Sequence, residues 1–280
     1  MTSDYTDPTN HRSAQLDTST HDQFLQYYQE KSQSPETIIR FERLVELILN
    51  TMKEEGREGP FQIADVGGGA GTLARSFARV GHHVTCVDIS KDLLEVGKRR
   101  ADEEGLEMAF INCSATATPI PDSSLDICVV PELLEHVAEW RKCLDEASRM
   151  LRPGGLLYLS TTNKLCPLQQ EFSLPLYSWY PGYVKRRYER LAVTTRPELA
   201  NYAKYPAVNW FTFYSLRDAL VARGFSRFLD RLDMIEILGA GSSKASVAKW
   251  LRRIPFCRLA VQFVTDGSYV LAFKAPGASR

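Results

Sequence analysis

Apolar positions along the chain recur with two periods, and each switch between them marks an element. Ile38, Phe41, Leu44, Val45, Ile48 and Leu49 follow i, i+3, i+4 spacing, which predicts a helix with one buried face. Ser34 as N-cap and Pro35 at the first helical position supply its start. A shorter amphipathic helix is predicted over 21–31 from Phe24, Leu25, Tyr27 and Tyr28. Ile63 and Val66 then belong to a strand, and Leu73, Phe77 and Val80 return to helical spacing. A strand over 83–88, a helix over 92–104 carrying Leu93, Leu94 and Val96, and a strand over 108–111 continue the alternation. Residues 125–130 are apolar at every position but Asp126, as a parallel strand covered on both faces requires. A helix over 132–151, free of proline and glycine, stops at Arg152-Pro153-Gly154-Gly155, and a strand over 156–161 follows. This pattern predicts an α/β fold: an open parallel sheet with helices on both faces and ligands at the carboxyl ends of its strands.

The first candidate chemistry lies where strand meets helix. Asp65 ends the first strand, Gly67-Gly68-Gly69 make a tight turn, and Gly71 precedes the helix. Glycines allow close approach to backbone or ligand, and free N–H groups at a helix start favour anionic groups. Asp88 ends a second strand about 20 residues further on, the place from which an acid takes both hydroxyls of a ribose. The turn and the acid together predict a site for an adenosine-containing cofactor. The plainer reading is that Asp65 and Asp88 are loop acids that cap helices.

Composition narrows the class. A chain of 280 residues can hold one large α/β domain, with or without a cap, and its formal net charge of zero argues against a dedicated nucleic-acid binder. The opening residues lack the basic start and apolar core of a secretory signal, and no run reaches the roughly 20 apolar residues that span a bilayer. The six cysteines are widely spaced, with Cys86 and Cys128 inside predicted core strands. They read as small buried residues in a reducing cytosol rather than a zinc site, so a cytoplasmic protein is expected. Residues 1–20 are polar and expected to be disordered, and 21–56 carry the N-terminal helices. Residues 57–162 form the cofactor-binding core, 163–214 an insertion, and 215–280 the rest of the sheet.

Asp65-x-Gly67-x-Gly69-x-Gly71, Asp88, Pro119-Ile-Pro121-Asp122-x-x-Leu125-Asp126 and Leu151-Arg-Pro-Gly-Gly155 resemble the successive motifs of class I S-adenosylmethionine-dependent methyltransferases. The resemblance covers roughly residues 60 to 162. It implies a Rossmann-like seven-stranded sheet of order 3-2-1-4-5-7-6 with strand seven antiparallel. A helix over 215–223 ended by Gly224, a sixth strand over 225–235, and a seventh over 269–274 after Asp266-Gly267-Ser268 suit that order. It further implies that Gly67, Gly69 and Gly71 line the methionine part of S-adenosylmethionine. Asp65 would act on its ammonium group, directly or through water, Asp88 on the ribose, and Ile89 on the adenine face. Ser114 and Ala115 fall near the adenine amino group, Ser114 standing where the family often has an acid. Pro131 stands after strand four, where a small polar residue is common.

Glu132, Glu135 and His136 fall at i, i+3, i+4, so on the predicted helix both carboxylates and the imidazole share one face. The segment 132–137, together with Leu159-Ser-Thr-Thr-Asn163, resembles the ubiquinone-biosynthesis O-methyltransferases, in which this helix start faces substrate and is associated with a divalent cation. Three readings stay open. His136 is a general base for a hydroxyl, or Glu132, Glu135 and His136 ligate Mg²⁺, or the segment packs structurally. Residues 163–214 are dense in aromatics, among them Phe172, Tyr177, Trp179, Tyr202, Tyr205 and Trp210. Loops this long are usually functional, so a substrate lid is expected, with Lys185, Arg186, Arg187 and Arg190 available to an anionic group and Tyr27 and Tyr28 closing the other side. The bland alternative is a helical cap with its own apolar core.

Residues 237–265 contain no acid but carry Lys244, Lys249, Arg252, Arg253 and Arg258, with Val247, Trp250, Leu251 and Ile254 at helical spacing. A basic amphipathic helix over 244–258 reads either as a contact for an anionic membrane or as a cover for the sheet or a partner subunit. The expected activity is O-methylation of a hydroxyl on a small aromatic, quinol-like or lipid-linked acceptor, by a monomer or homodimer that binds no nucleic acid. N- or C-methylation of a secondary-metabolite or sugar intermediate and a non-catalytic cofactor-binding scaffold are the alternatives.

Overall fold

Helix α1, Pro35–Glu54, starts as its sequence requires: Ser34 Oγ accepts from Thr37 N and Pro35 opens the first turn. The computed structural model describes residues 32–276 apart from 170, 201–205, 240 and 255, with no side chain described at 244. The expectations for residues 1–20, for the helix over 21–31 with Tyr27 and Tyr28, and for Tyr202, Tyr205 and the Lys244 side chain therefore lie outside the described residues.

Seven strands form one sheet in the order β3-β2-β1-β4-β5-β7-β6. They are β1 (Gln62–Val66), β2 (His83–Asp88), β3 (Ala109–Asn112), β4 (Leu125–Pro131), β5 (Leu151–Thr162), β6 (Phe225–Leu229) and β7 (Gly267–Lys274). β7 runs antiparallel to both β5 and β6, and the other neighbours are parallel. Helices α2 (Thr72–Arg79), α3 (Lys91–Glu103) and α4 (Trp140–Met150) make the crossovers. Alternate residues of one strand enter different cores: Ala64 and Cys128 pack with Leu144 and Leu216, whereas Ile63 and Ile127 pack with Ile48, Phe77 and Met234. Burial on both faces is why β4 is apolar at all positions but one. Its exception, Asp126, accepts from Gln62 N at 2.9 Å and pairs with Arg57 and Arg152, tying the start of β4 to β1 and β5.

Three expected boundaries are corrected. The helix over 132–151 is only Trp140–Met150, with turns and loop before it. The strand over 225–235 ends at Leu229, because Asp230 accepts from Leu232 N and Asp233 N and caps a new helix, α7 (Arg231–Leu238). The single basic helix over 244–258 is two helices, α8 (Ser243–Leu251) and α9 (Cys257–Val264). No described helix is long and apolar enough to cross a membrane. All six cysteines are free, and Cys86, Cys128, Cys143 and Cys166 are buried.

Between β5 and helix α6 (Phe213–Val221), residues 163–212 carry helix α5 (Gly182–Thr194) and a small core of their own. Phe172 stacks on Tyr177 at 4.1 Å between ring centroids, and Tyr180, Tyr188 and Trp210 surround them. Lys185, expected to face an anion, is instead buried: Nζ donates to Ser178 O at 2.8 Å and lies 4.2 Å from the Trp210 ring. Burial lowers its pKa to about 8, while Arg186, Arg187 and Arg190 stay exposed. Among the described residues of this segment Trp179 and Tyr183 are the exposed aromatics, and most of the other described ones pack as a cap with its own core.

Candidate active site

β1 and β2 end side by side, and the glycine turn between β1 and α2 is built on their carboxyl ends. Gly67 N and Gly68 N both donate to Val87 O, at 2.8 and 3.1 Å, which folds the turn back over β2. A Cβ at Gly68 would lie 2.6 Å from Cys86 Sγ and 2.8 Å from Asp65 Oδ2, so only glycine fits. Gly69 has φ +52°, and a Cβ there would meet nothing nearer than Leu93 Cδ1 at 3.7 Å. That side of Gly69 is therefore open.

The Asp88 carboxylate holds this turn: Oδ2 accepts from Gly69 N at 2.9 Å and Oδ1 from Ser90 N at 2.7 Å. Burial raises its pKa, with the N–H groups of Ser90 and Gly69 opposing. A carboxylate has about four acceptor sites, so both oxygens keep capacity for ligand hydroxyls. Asp65 is 0% exposed beneath the turn. Its Oδ2 accepts from Ala74 N at 3.1 Å, in the first turn of α2, whose N-cap Gly71 has no side chain to offer. The capping reading of Asp65 is thus part of its structure. Its Oδ1 is buried with no hydrogen-bond partner, and burial raises the acid to about 7. An orphaned carboxylate oxygen under an open glycine cradle fits a ligand that brings a cationic or N–H group.

Beyond Asp88, Ile89 is 68% exposed, an apolar face beside the acid. Asn112, to which the sequence reading gave no role, donates through Nδ2 to Asp88 O and Ile89 O at 3.0 and 2.9 Å and so sets that loop. Ser114 Oγ lies 2.8 Å from Thr116 Oγ1 and accepts from Thr116 N, and Ala115 is half-buried beside it. The serine's oxygen is thus already engaged within its own turn.

The exit from β4 differs from the expected helical face. Pro131 pairs with Ser160 in the sheet and Glu132 N donates to Ser160 O at 2.8 Å, after which Glu132 takes φ +51°. The Glu132 side chain turns outward to Arg40 of α1 at 2.8 Å, an exposed pair. Glu135 turns inward, 1% exposed, and its Oε2 accepts from Thr161 Oγ1 at 2.8 Å. Burial raises Glu135 to about 8, the charge of Glu171 adding to it. His136, half-buried, follows in a turn whose N–H donates to Leu133 O. Glu132 and Glu135 thus diverge, and no group of three His, Cys, Asp or Glu among the described residues could hold a metal ion. The Mg²⁺ site built from Glu132, Glu135 and His136 is not supported, because the helix that was to bring the three together does not form.

Asn209 is what holds this loop. Its Nδ2 donates to Leu134 O and Val137 O at 2.9 and 2.8 Å, and the N–H groups of Val208 and Asn209 donate to Glu135 O. Those carbonyls are the acceptors that a helix over 132–151 would have used. Nothing local in 132–139 signals this, since the donors lie some 70 residues downstream.

Residues 64–159 match the methyltransferase domain family. Over 105 residues the chain is 37% identical to the ubiquinone biosynthesis O-methyltransferase of Aeromonas salmonicida (37% of this chain, 44% of that protein). Over 127 residues it is 35% identical to the demethylmenaquinone methyltransferase of Clavibacter sepedonicus (44% of this chain, 51% of that protein). The chain spans about half the length of the curated relatives it matches. Its fold is that of the geranyl diphosphate C-methyltransferase from Streptomyces coelicolor A3(2), solved with Mg²⁺, geranyl-S-thiolodiphosphate and S-adenosyl-L-homocysteine. That likeness has a TM-score of 0.51 at 19% identity, covering 82% of this chain and 75% of the other. Sheet order, motif order and domain match define the class: residues 64–159 are a class I S-adenosylmethionine-dependent methyltransferase domain. Within that class its sequence similarity includes methyltransferases of quinone biosynthesis.

Proposed function

We propose that this chain transfers the methyl group of S-adenosylmethionine to a hydroxyl of a small aromatic, quinol-like or lipid-linked acceptor. The observation that carries the reading is the glycine turn held open by Asp88, above the orphaned oxygen of Asp65. When bound, the cofactor supplies a sulfonium methyl already activated for transfer, so the protein's contribution is chiefly positioning. Gly67, Gly69 and Gly71 would line the methionine part, with the open side at Gly69, Asp65 would meet its ammonium, and Asp88 would take the ribose hydroxyls. Ile89 lies on the adenine face, with Ser114, Ala115 and Pro131 at its margins.

His136 is proposed as the base that removes the acceptor's hydroxyl proton. Glu135, neutral at physiological pH when raised to about 8, would not compete for that proton as a carboxylate. Its place is to brace Thr161 and the loop carrying His136. Residues 163–212 form the acceptor-side wall, fastened to that loop by Asn209. Similarity to the ubiquinone biosynthesis O-methyltransferase supports oxygen as the acceptor atom. Similarity to a ubiquinone/menaquinone biosynthesis C-methyltransferase of Bradyrhizobium sp., 34% identical over 115 residues, favours a second reading, C-methylation of a quinol ring.

His136→Ala tests the base. With a soluble catechol as acceptor, turnover should fall by about 100-fold or more while S-adenosylhomocysteine still binds. Unchanged turnover would remove His136 from the chemistry, and methylation of a ring carbon would select the second reading.

A further inference from the structure

Helix α9 is turned inside out. Gln262 is 4% exposed, and Arg258 pairs with Asp230 and Asp233 of the α7 cap. Leu259 and Phe263 are exposed instead, with Val264 80% exposed. Together with Phe256 these residues sit at i, i+3, i+7 and i+8, one continuous apolar stripe along the solvent side of the helix. A surface helix of a globular protein buries that stripe.

The turn before the helix points the same way. Phe256 has φ +65° and is 83% exposed. A bulky residue in the left-handed region is an outlier, and this one gains no burial in return. On α8, Val247 and Trp250, spaced i, i+3, are exposed while Ala245 and Ala248 face the protein. Lys249 and Arg253 stand exposed beside them with no carboxylate partner among the described residues, and no acid occurs from 237 to 265.

We propose that the α8–α9 hairpin is a docking surface for an anionic lipid bilayer. Charge selects this occupant over a second copy of the chain, because a two-fold contact through this face brings two copies of the unpaired cations Lys249 and Arg253 into one interface. An anionic surface instead neutralises them, and tryptophan and phenylalanine suit the headgroup boundary. The surface is also joined to the acceptor side of the sheet. Asn163, where β5 leaves the sheet, donates through Nδ2 to Gln262 O at 2.6 Å and Thr265 O at 2.8 Å, clamping α9 beside the proposed acceptor wall. Delivery of a lipid-linked acceptor from the bilayer rests on the methyl-transfer reading, but the docking itself does not.

The test is flotation of the full chain with phosphatidylcholine vesicles, with and without phosphatidylglycerol. Wild type should partition to the anionic vesicles, and Phe256→Glu/Val264→Glu should weaken this by about tenfold or more. Lys249→Glu/Arg253→Glu should remove the preference for phosphatidylglycerol, by about fivefold per charge removed. All four positions are exposed, and unchanged thermal melting and S-adenosylhomocysteine binding verify that each variant is folded. Failure of wild type to float, or equal partitioning of wild type and Phe256→Glu/Val264→Glu, overturns the proposal. So does a dimer by light scattering that Phe256→Glu/Val264→Glu dissociates, which assigns the face to a second copy. A protein that floats but binds no cofactor keeps the docking surface and sinks the methyl-transfer reading; one that binds cofactor and does not float does the reverse.

Discussion

β1 and β4 are neighbours, run parallel and end at the same edge of the sheet, yet their exits are built by different forces. The exit from β1 is a local structure. Its glycines, its helix start and the acid of the next strand lie within residues 65–90, joined by backbone N–H donors to Val87 O, Asp88 and Asp65. The exit from β4 is a tertiary structure. Helix formers fill residues 132–139, but Asn209 and its neighbour take the loop's carbonyls and the helix waits until Trp140. Tertiary contacts override intrinsic propensity where they satisfy the same backbone groups. Under the proposed function, such a site would bind the cofactor on a local turn and act on the acceptor from a loop held by an insertion.

The largest expected effect belongs to the local exit. Asp88→Ala removes the acceptor for Gly69 N and Ser90 N together, and should cost about 2–4 kcal/mol in denaturant unfolding. A loss below about 0.5 kcal/mol would mean that the turn stands without its acid.

The next effect separates the two exits by pH. Glu135 in the folded protein is raised to about 8 from an ordinary 4.5, so the folded state holds a proton that the unfolded state has released. That carboxyl therefore lowers stability as pH rises from 4.5 through 8. Glu135→Gln should remove the decline and become progressively more stable than wild type across that window, by about 4 kcal/mol at pH 8. Parallel stability–pH curves for the two proteins would show that Glu135 is charged in the fold.

The smallest effect on stability, and the sharpest on function, is expected from Asn209→Ala. Two bonds to loop carbonyls are lost, about 1–2 kcal/mol. Turnover should fall by about tenfold or more while cofactor affinity changes by less than about threefold, since the glycine turn is untouched. Equal losses of turnover and cofactor affinity would mean that the two exits act as one unit.

The same contrast explains what was legible beforehand. Sheet order, the buried strands, the glycine turn and Asp88 follow from local patterning and from the resemblance those residues carry. The side-chain fan of Glu132, Glu135 and His136 was misread because i, i+3, i+4 spacing has meaning only on a helix, and the donors that prevent the helix lie far along the chain. Arg40, which draws Glu132 outward from another helix, carried no signal either. The stripe read from sequence was Val247, Trp250, Leu251 and Ile254; that of α9 was not read, and its outward orientation goes with Arg258 pairing with Asp230 and Asp233. The close of β6 at Leu229 hung on Asp230 acting as a cap, a role its neighbours Asp233 and Arg231 could have suggested.

The most direct test of the central claim is calorimetric titration of S-adenosylhomocysteine into wild type and Asp88→Asn, an isosteric change that keeps one acceptor oxygen. Wild type should bind with micromolar affinity and the variant about tenfold or more weakly, with both folded by thermal melting. Binding of equal strength in the two proteins, or none in wild type, would contradict the assignment of the glycine turn and Asp88 as the cofactor site.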